Sequence, residues 1–197
     1  ITAIPHGLLG RLDNQVSYSW QQGALLFFGR IEEYKGLRYF IEAVKLLAEQ
    51  NCPVHAIIAG KGTDLDAHRH AIANHPAFEL VERYISNDEL AQLFGRTNIV
   101  VLPYTDATQS GVAAMAMRYG RPIIASDVGS IREVVRHGSN GLLVPPRDSM
   151  ALAAAIRTLV EDPPLAVQFG KNATSLVEGE LSWPTIAKRT IEIYRRA

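Results

Sequence analysis

Ala24-Leu25-Leu26-Phe27-Phe28 is an uninterrupted apolar run closed by Gly29, and the residues after it change period: Leu37, Phe40, Ile41, Val44 and Leu47 recur at three and four positions. A strand covered on both faces by crossover helices reads as a continuous apolar run, and the second spacing draws one apolar stripe along a helix. The same pairing repeats down the chain. Strands are predicted at 53–59, 78–85, 99–102, 122–125 and 141–144, and helices near 64–73, 87–94, 111–119 and 130–136. Ser86 precedes Glu89 by three residues, the capping-box pattern for the third of these helices. The remainder reads as helical, with Asp148 and Ser182 as N-caps and Pro163-Pro164 and Pro184 at early helical positions. Each parallel pairing needs a right-handed crossover of a dozen residues or more. The expected fold class is therefore α/β, a Rossmann-like doubly wound parallel sheet of about six strands with a C-terminal helical tail.

A chain of 197 residues supports one full-sized core, so 1–197 is read as a single domain. The formal charge is zero and Lys and Arg are scattered, which excludes a nucleic-acid footprint. Any anion must then be held by local groups. Cys52 has no partner for an internal disulfide and is expected to be a buried small hydrophobe before a strand, and no Cys/His spacing matches a structural metal site. No apolar run approaches the roughly 18 residues that cross a bilayer, and the first residues lack the regions of a signal peptide. The chain begins with Ile1 rather than Met, so a piece of a longer protein is expected.

Two stretches carry chemistry. The first, Phe28-Gly29-Arg30-Ile31-Glu32-Glu33-Tyr34-Lys35-Gly36, lies where a strand hands over to a helix. In open α/β sheets, ligands sit beyond the carboxyl ends of strands, where loop amides and helix N-termini point at them. Arg30 offers a fork for two phosphate oxygens, and Lys35, expected in the first helical turn, adds a mobile point charge. A lysine there opposes the helix dipole, a cost that an anion would offset. The bland alternative pairs both cations with Glu32, Glu33 or solvent.

The second stretch, Leu102 through Tyr104, Asp106, Thr108, Gln109, Ser110 and Gly111, again feeds a helix. Thr108, Gln109 and Ser110 supply neutral donors, Gly111 lets a bulky ligand approach, and the free amides of the helix start complete an anion cradle. The alternative is an ordinary serine cap. Gly60-Lys61-Gly62 is not a Walker A loop, and no Gly-x-Gly-x-x-Gly follows the first strand, which disfavours a dinucleotide enzyme. His68, His70 and His75 are expected to face solvent, and no histidine is proposed as a base.

With these residues placed, the sequence resembles the C-terminal, donor-binding domain of GT-B retaining glycosyltransferases of glycosyltransferase family 4, the glycosyl transferases group 1. The resemblance is carried by Ile4-Pro5-His6-Gly7, Gly29-Arg30 with Lys35-Gly36, Ile58-Ala59-Gly60 and Asn98 to Pro103. Ala116-Met117 with Gly120-Arg121-Pro122, Gly129 with Glu133, Asn140 to Pro145, and Ser182-Trp183 continue it in family order. It implies one half of a GT-B fold, with the N-terminal acceptor domain absent from this chain. The implied activity is that of a hexosyltransferase acting in polysaccharide biosynthesis, with a nucleotide sugar as donor and no metal or other cofactor. Arg30 and Lys35 would grip the diphosphate and act catalytically. Gly29, Asp106, Thr108, Gln109, Ser110 and Gly111 would line the donor site, and the backbone at Tyr84 and Ile85 would lie beside the nucleobase.

The implied partners are the missing domain and an acceptor sugar or lipid-linked glycan. The implied location is the cytoplasm, or the inner membrane surface reached through the missing domain. The family's two glutamates, eight positions apart, fall here on Ala107 and Met115. Rival readings are a noncatalytic nucleotide-sugar or phosphate-binding module, another GT-B enzyme such as a sugar-nucleotide epimerase, and an interaction domain.

Overall fold

A computed structural model of the chain describes residues 21–106 and 110–195. Six strands form one sheet in the order β3-β2-β1-β4-β5-β6. They are β1 (Ala24–Phe28), β2 (His55–Ala59), β3 (Phe78–Val81), β4 (Ile99–Leu102), β5 (Ile123–Ser126) and β6 (Gly141–Val144), and every pairing is parallel. Eight α-helices are described: α1 (Leu37–Glu49), α2 (Arg69–Ala73), α3 (Asn87–Gly95), α4 (Gly111–Arg118), α5 (Ile131–Val134), α6 (Ser149–Glu161), α7 (Pro163–Glu178) and α8 (Trp183–Tyr194). The doubly wound sheet and its helical tail are those expected.

The apolar runs do what their lack of alternation implies. Along β1, Leu25 and Phe27 point into one core with Leu37, Phe40 and Val44 of α1 and Ile156 of α6. Leu26 and Phe28 point into the other, with Phe94 of α3 and Val112 and Ala116 of α4. Burying a side chain of this size contributes about 1.5–3 kcal/mol, so a strand with both faces filled anchors the sheet at its centre. Cys52 is buried in the first core, as expected.

The caps at Ser86, Asp148 and Ser182 are all made, the first as a full capping box with Glu89. Three local expectations are corrected. β3 stops at Val81, four residues early, because Arg83 N donates back to Val81 O and turns the chain out of the edge ladder. The helix near 64–73 is a 3-10 turn, Asp66–His68, leading into the short α2. His68 is half-buried and lies 3.4 Å from Asp64 rather than facing solvent freely.

β1 and β4 are neighbours although β2 and β3 intervene in sequence, so the strand order reverses between them. The connections leaving their carboxyl ends run to opposite faces of the sheet and leave a crevice where they part. Both stretches singled out in the sequence are those connections.

Candidate functional site

After β1 the chain turns through Gly29 and Arg30 into a 3-10 turn, Glu33–Lys35, and Gly36 then starts α1. Lys35 therefore sits just before the helix rather than in its first turn. The left-handed Gly36, φ 69°, breaks the two apart. The loop after β4 is fastened to this turn: Thr105 N donates to Tyr34 O at 2.7 Å, and the Tyr34 and Tyr104 rings meet edge to face with centroids 6.1 Å apart. On the other side, Gly29 N donates to Ala59 O and Ile31 N to Lys61 O, which ties in the loop after β2.

The Lys35 side chain runs inward and is only 8% exposed. Its Nζ lies 5.7 Å from the centroid of the Tyr104 ring. A Cβ on Gly29 would stand 2.9 Å from Lys35 Nζ and 3.4 Å from Val112 Cγ2, so the ammonium and the first turn of α4 converge on one point. Burial, and after it the Arg30 guanidinium, pull the Lys35 ammonium below the ordinary lysine value of 10.5, against the smaller opposing effect of Glu32. Glu32 instead accepts a hydrogen bond from Thr63 Oγ1 at 3.1 Å. Among the described residues, neither the Arg30 nor the Lys35 side chain has a hydrogen bond or an ion pair. Arg30 is exposed, whereas the Lys35 ammonium is nearly buried without an ion-pair partner, a state that an anion would relieve.

Across the crevice, Ser110 caps α4, its Oγ accepting from Ala113 N at 3.1 Å. The earlier amides of a helix have no intrahelical acceptor, and eight residues of aligned peptides add a partial positive charge at this end. Gly111 is exposed, and a Cβ there would meet nothing within 4 Å. Tyr104 Oη and Ser110 Oγ share a hydrogen bond at 3.4 Å, and burial pushes the Tyr104 phenol up to about 12.

Gly29, Arg30, Lys35, Ser110 and Gly111 are thus brought together. Asp106 is exposed on the β4 loop, whereas Thr108, Gln109 and Ala107 lie outside the described residues. Tyr84 is 84% exposed just beyond the end of β3. With β2 between them, β3 and β1 are two strand spacings, about 10 Å, apart along the sheet. The Ile85 side chain is buried in the second core, which leaves only its backbone to face a ligand. Met115 is half-buried on α4 and packs against the same core.

Sequence reasoning assigned no task to Tyr104, although Val100, Leu102 and Tyr104 repeat at two residues and share the core on the α4 side. It also quoted Arg121 without giving it a role; the residue is 1% exposed at the opposite end of the sheet. Among the described residues no cluster of three or more His, Cys, Asp or Glu side chains is placed to hold a metal ion. No helix among them is long and apolar enough to cross a membrane.

The profile of the family described as Glycosyl transferases group 1 matches residues 22–162. Glycogen synthase of Mycobacterium tuberculosis is 31% identical over 178 residues, a match covering 88% of this chain and 42% of the synthase. HepE of Anabaena, solved in complex with UDP, superposes with a TM-score of 0.75 at 25% identity, covering 89% of this chain and 50% of HepE. The C-terminal domain of a group 1 glycosyl transferase, LpcC of Francisella tularensis, superposes at 0.70 with 22% identity, covering 89% of this chain and 97% of that domain. The chain thus spans about half the length, or less, of the longer proteins among these.

Proposed function

The chain belongs to the glycosyl transferases group 1 family, and from that membership we propose that it is the donor-binding half of a retaining glycosyltransferase using a nucleoside-diphosphate sugar. The observation that carries this reading is the nearly buried Lys35 ammonium, near Arg30 and the start of α4, with no ion-pair partner among the described residues. A diphosphate supplies the missing charge.

As the bond between the anomeric carbon and the leaving oxygen breaks, negative charge grows on the diphosphate. Groups already aimed at that charge lower the barrier without reorganising. Arg30 forks onto two oxygens, Lys35 supplies a point charge, and the first amides of α4 with Ser110 supply neutral donors. The sugar would extend toward Asp106, Thr108 and Gln109, and the nucleobase toward Tyr84 and the backbone of Ile85. The acceptor, a sugar or lipid-linked glycan, would be brought by a second domain closing over the crevice, so this chain alone is expected to bind donor without turnover. The cytoplasm, or the inner membrane surface, is the location that fits such a donor.

A second reading, a noncatalytic nucleotide-sugar-binding module, is favoured by Met115, whose thioether stands where the resembling enzymes carry a carboxylate. It shares the phosphate grip and differs only in turnover.

Calorimetric titration with UDP, GDP and ADP tests the grip. One of them is expected to bind the wild-type chain, and Arg30→Ala with Lys35→Ala to weaken it by about a hundredfold or more, since each charged hydrogen bond contributes about 1.5–3 kcal/mol. Equal binding by the double variant would sink the reading.

A further inference from the structure

Tyr104 stands between the two halves of the crevice, 3% exposed, with its ring beside the Lys35 ammonium and its hydroxyl on Ser110 Oγ. We propose that Tyr104 is a positioning residue of the donor site: its ring face holds the Lys35 ammonium at the anion-binding point, and its hydroxyl ties that point to the cap of α4. The inference rests on the donor-site reading above and adds a residue to it.

The flexible four-carbon stem of Lys35 must be held in one place, yet a carboxylate holding it would neutralise the charge and compete with the incoming anion. An aromatic face attracts an ammonium within about 6 Å through its quadrupole and leaves its N–H donors free. Lys35 Nζ is 5.7 Å from the Tyr104 centroid, within that range.

The ring itself is fixed. Tyr34 meets it at an interplanar angle of 72°, and the Tyr34 carbonyl is held by Thr105 N and Thr105 Oγ1 at 2.7 and 3.3 Å. The hydroxyl end adds a second constraint, since Ser110 Oγ also accepts from Ala113 N. One rigid side chain, with two torsions to fix, therefore sets the spacing between a cation carried by the β1 loop and the amides of a helix that follows β4. A tyrosine that merely filled space would have no reason to touch both.

The test is titration of the chain with UDP, or with whichever of GDP and ADP it binds, each variant being checked for folding by thermal melting. Tyr104→Phe keeps the ring face and is expected to bind within about threefold of wild type. Tyr104→Leu removes the face and is expected to weaken binding by about tenfold. In a Lys35→Met background the same leucine should have no further effect, because the ring acts through the ammonium. A series of phenylalanines at position 104 with successively more ring fluorines drains the face at nearly constant shape, and affinity should fall step by step even if the leucine variant fails to fold.

The inference is overturned if the fluorine series is flat, or if leucine weakens binding equally with and without Lys35. Should Lys35→Met bind the nucleotide as wild type does, or should none of the three nucleotides bind, the donor-site reading itself fails.

Discussion

A Cβ on Gly36 would stand 2.0 Å from the carbonyl oxygen of Pro103. This is where the loops leaving β1 and β4 press together, and only a residue without a side chain allows it. Gly36 also holds a φ of 69°, which costs an L-residue about 1–2 kcal/mol before any contact is considered. Gly36→Ala is expected to lose about 2–3 kcal/mol of stability and to weaken nucleotide binding, because the loops must separate and carry Lys35 away from α4. Urea denaturation reads the first effect. A loss under about 0.5 kcal/mol would mean the contact is looser than described.

Lys35 gives a pH prediction with a definite sign. Its folded-state pKa lies below the ordinary value of 10.5, first through burial and then through Arg30. A protonated amine of that kind opposes folding: the penalty is complete below the folded pKa and disappears as pH rises through it toward the unfolded value. Lys35→Met should therefore be more stable than wild type near neutral pH, with the gap closing as pH approaches the unfolded lysine value. The same variant should bind UDP less well and gain less in melting temperature from it. Paired urea titrations at the two ends of that range decide the matter, and a methionine variant less stable than wild type near neutrality would contradict it.

The residues that build the sheet announced themselves because burial on both faces leaves only apolar choices. β4 and β6 were legible to the residue, since Ile99–Leu102 and Gly141–Val144 are bounded by polar and proline neighbours. β3 was read too long because Tyr84 and Ile85 look like strand residues, while the backbone bond that ends it leaves no mark in composition. Arg30 and Lys35 were visible as cations at a strand-to-helix junction. That Lys35 is buried against Tyr104 at the start of α4 depends on how β1 and β4 become neighbours, which no local pattern encodes. Tyr104 was hidden for the same reason, because its two contacts come from a loop and a helix at different places in the chain.

Ser110 separates capping from ligand binding. Its Oγ accepts from Ala113 N and also meets Tyr104 Oη. Ser110→Ala is expected to cost about 1 kcal/mol from the lost cap, and Ser110→Gly only a few tenths. Both variants remove the hydroxyl from the crevice and should weaken UDP binding alike. Thermal melts and titrations of the pair test this, and an affinity that tracked stability rather than the hydroxyl would assign Ser110 to the helix alone.

Arg121 lies at the amino end of the sheet, away from the crevice, and is 1% exposed. Its Nε donates to the carbonyl of Phe94 at 2.8 Å, in the last turn of α3, where helix carbonyls lack intrahelical donors. A cation at that end also complements the dipole. Removing it takes the shortest donor from the Phe94 carbonyl, which Thr97 N and Thr97 Oγ1 reach only at 3.4 Å, and leaves an unfilled space where a large side chain was buried. Arg121→Ala should therefore cost about 3 kcal/mol or more. Arg121→Lys keeps the charge but not the planar fork, and should recover less than half of that. Neither change touches the loops after β1 and β4, so nucleotide affinity, measured on the folded fraction, should stay within about twofold of wild type. A large drop in affinity with stability intact would instead tie the amino end of the sheet to the donor site.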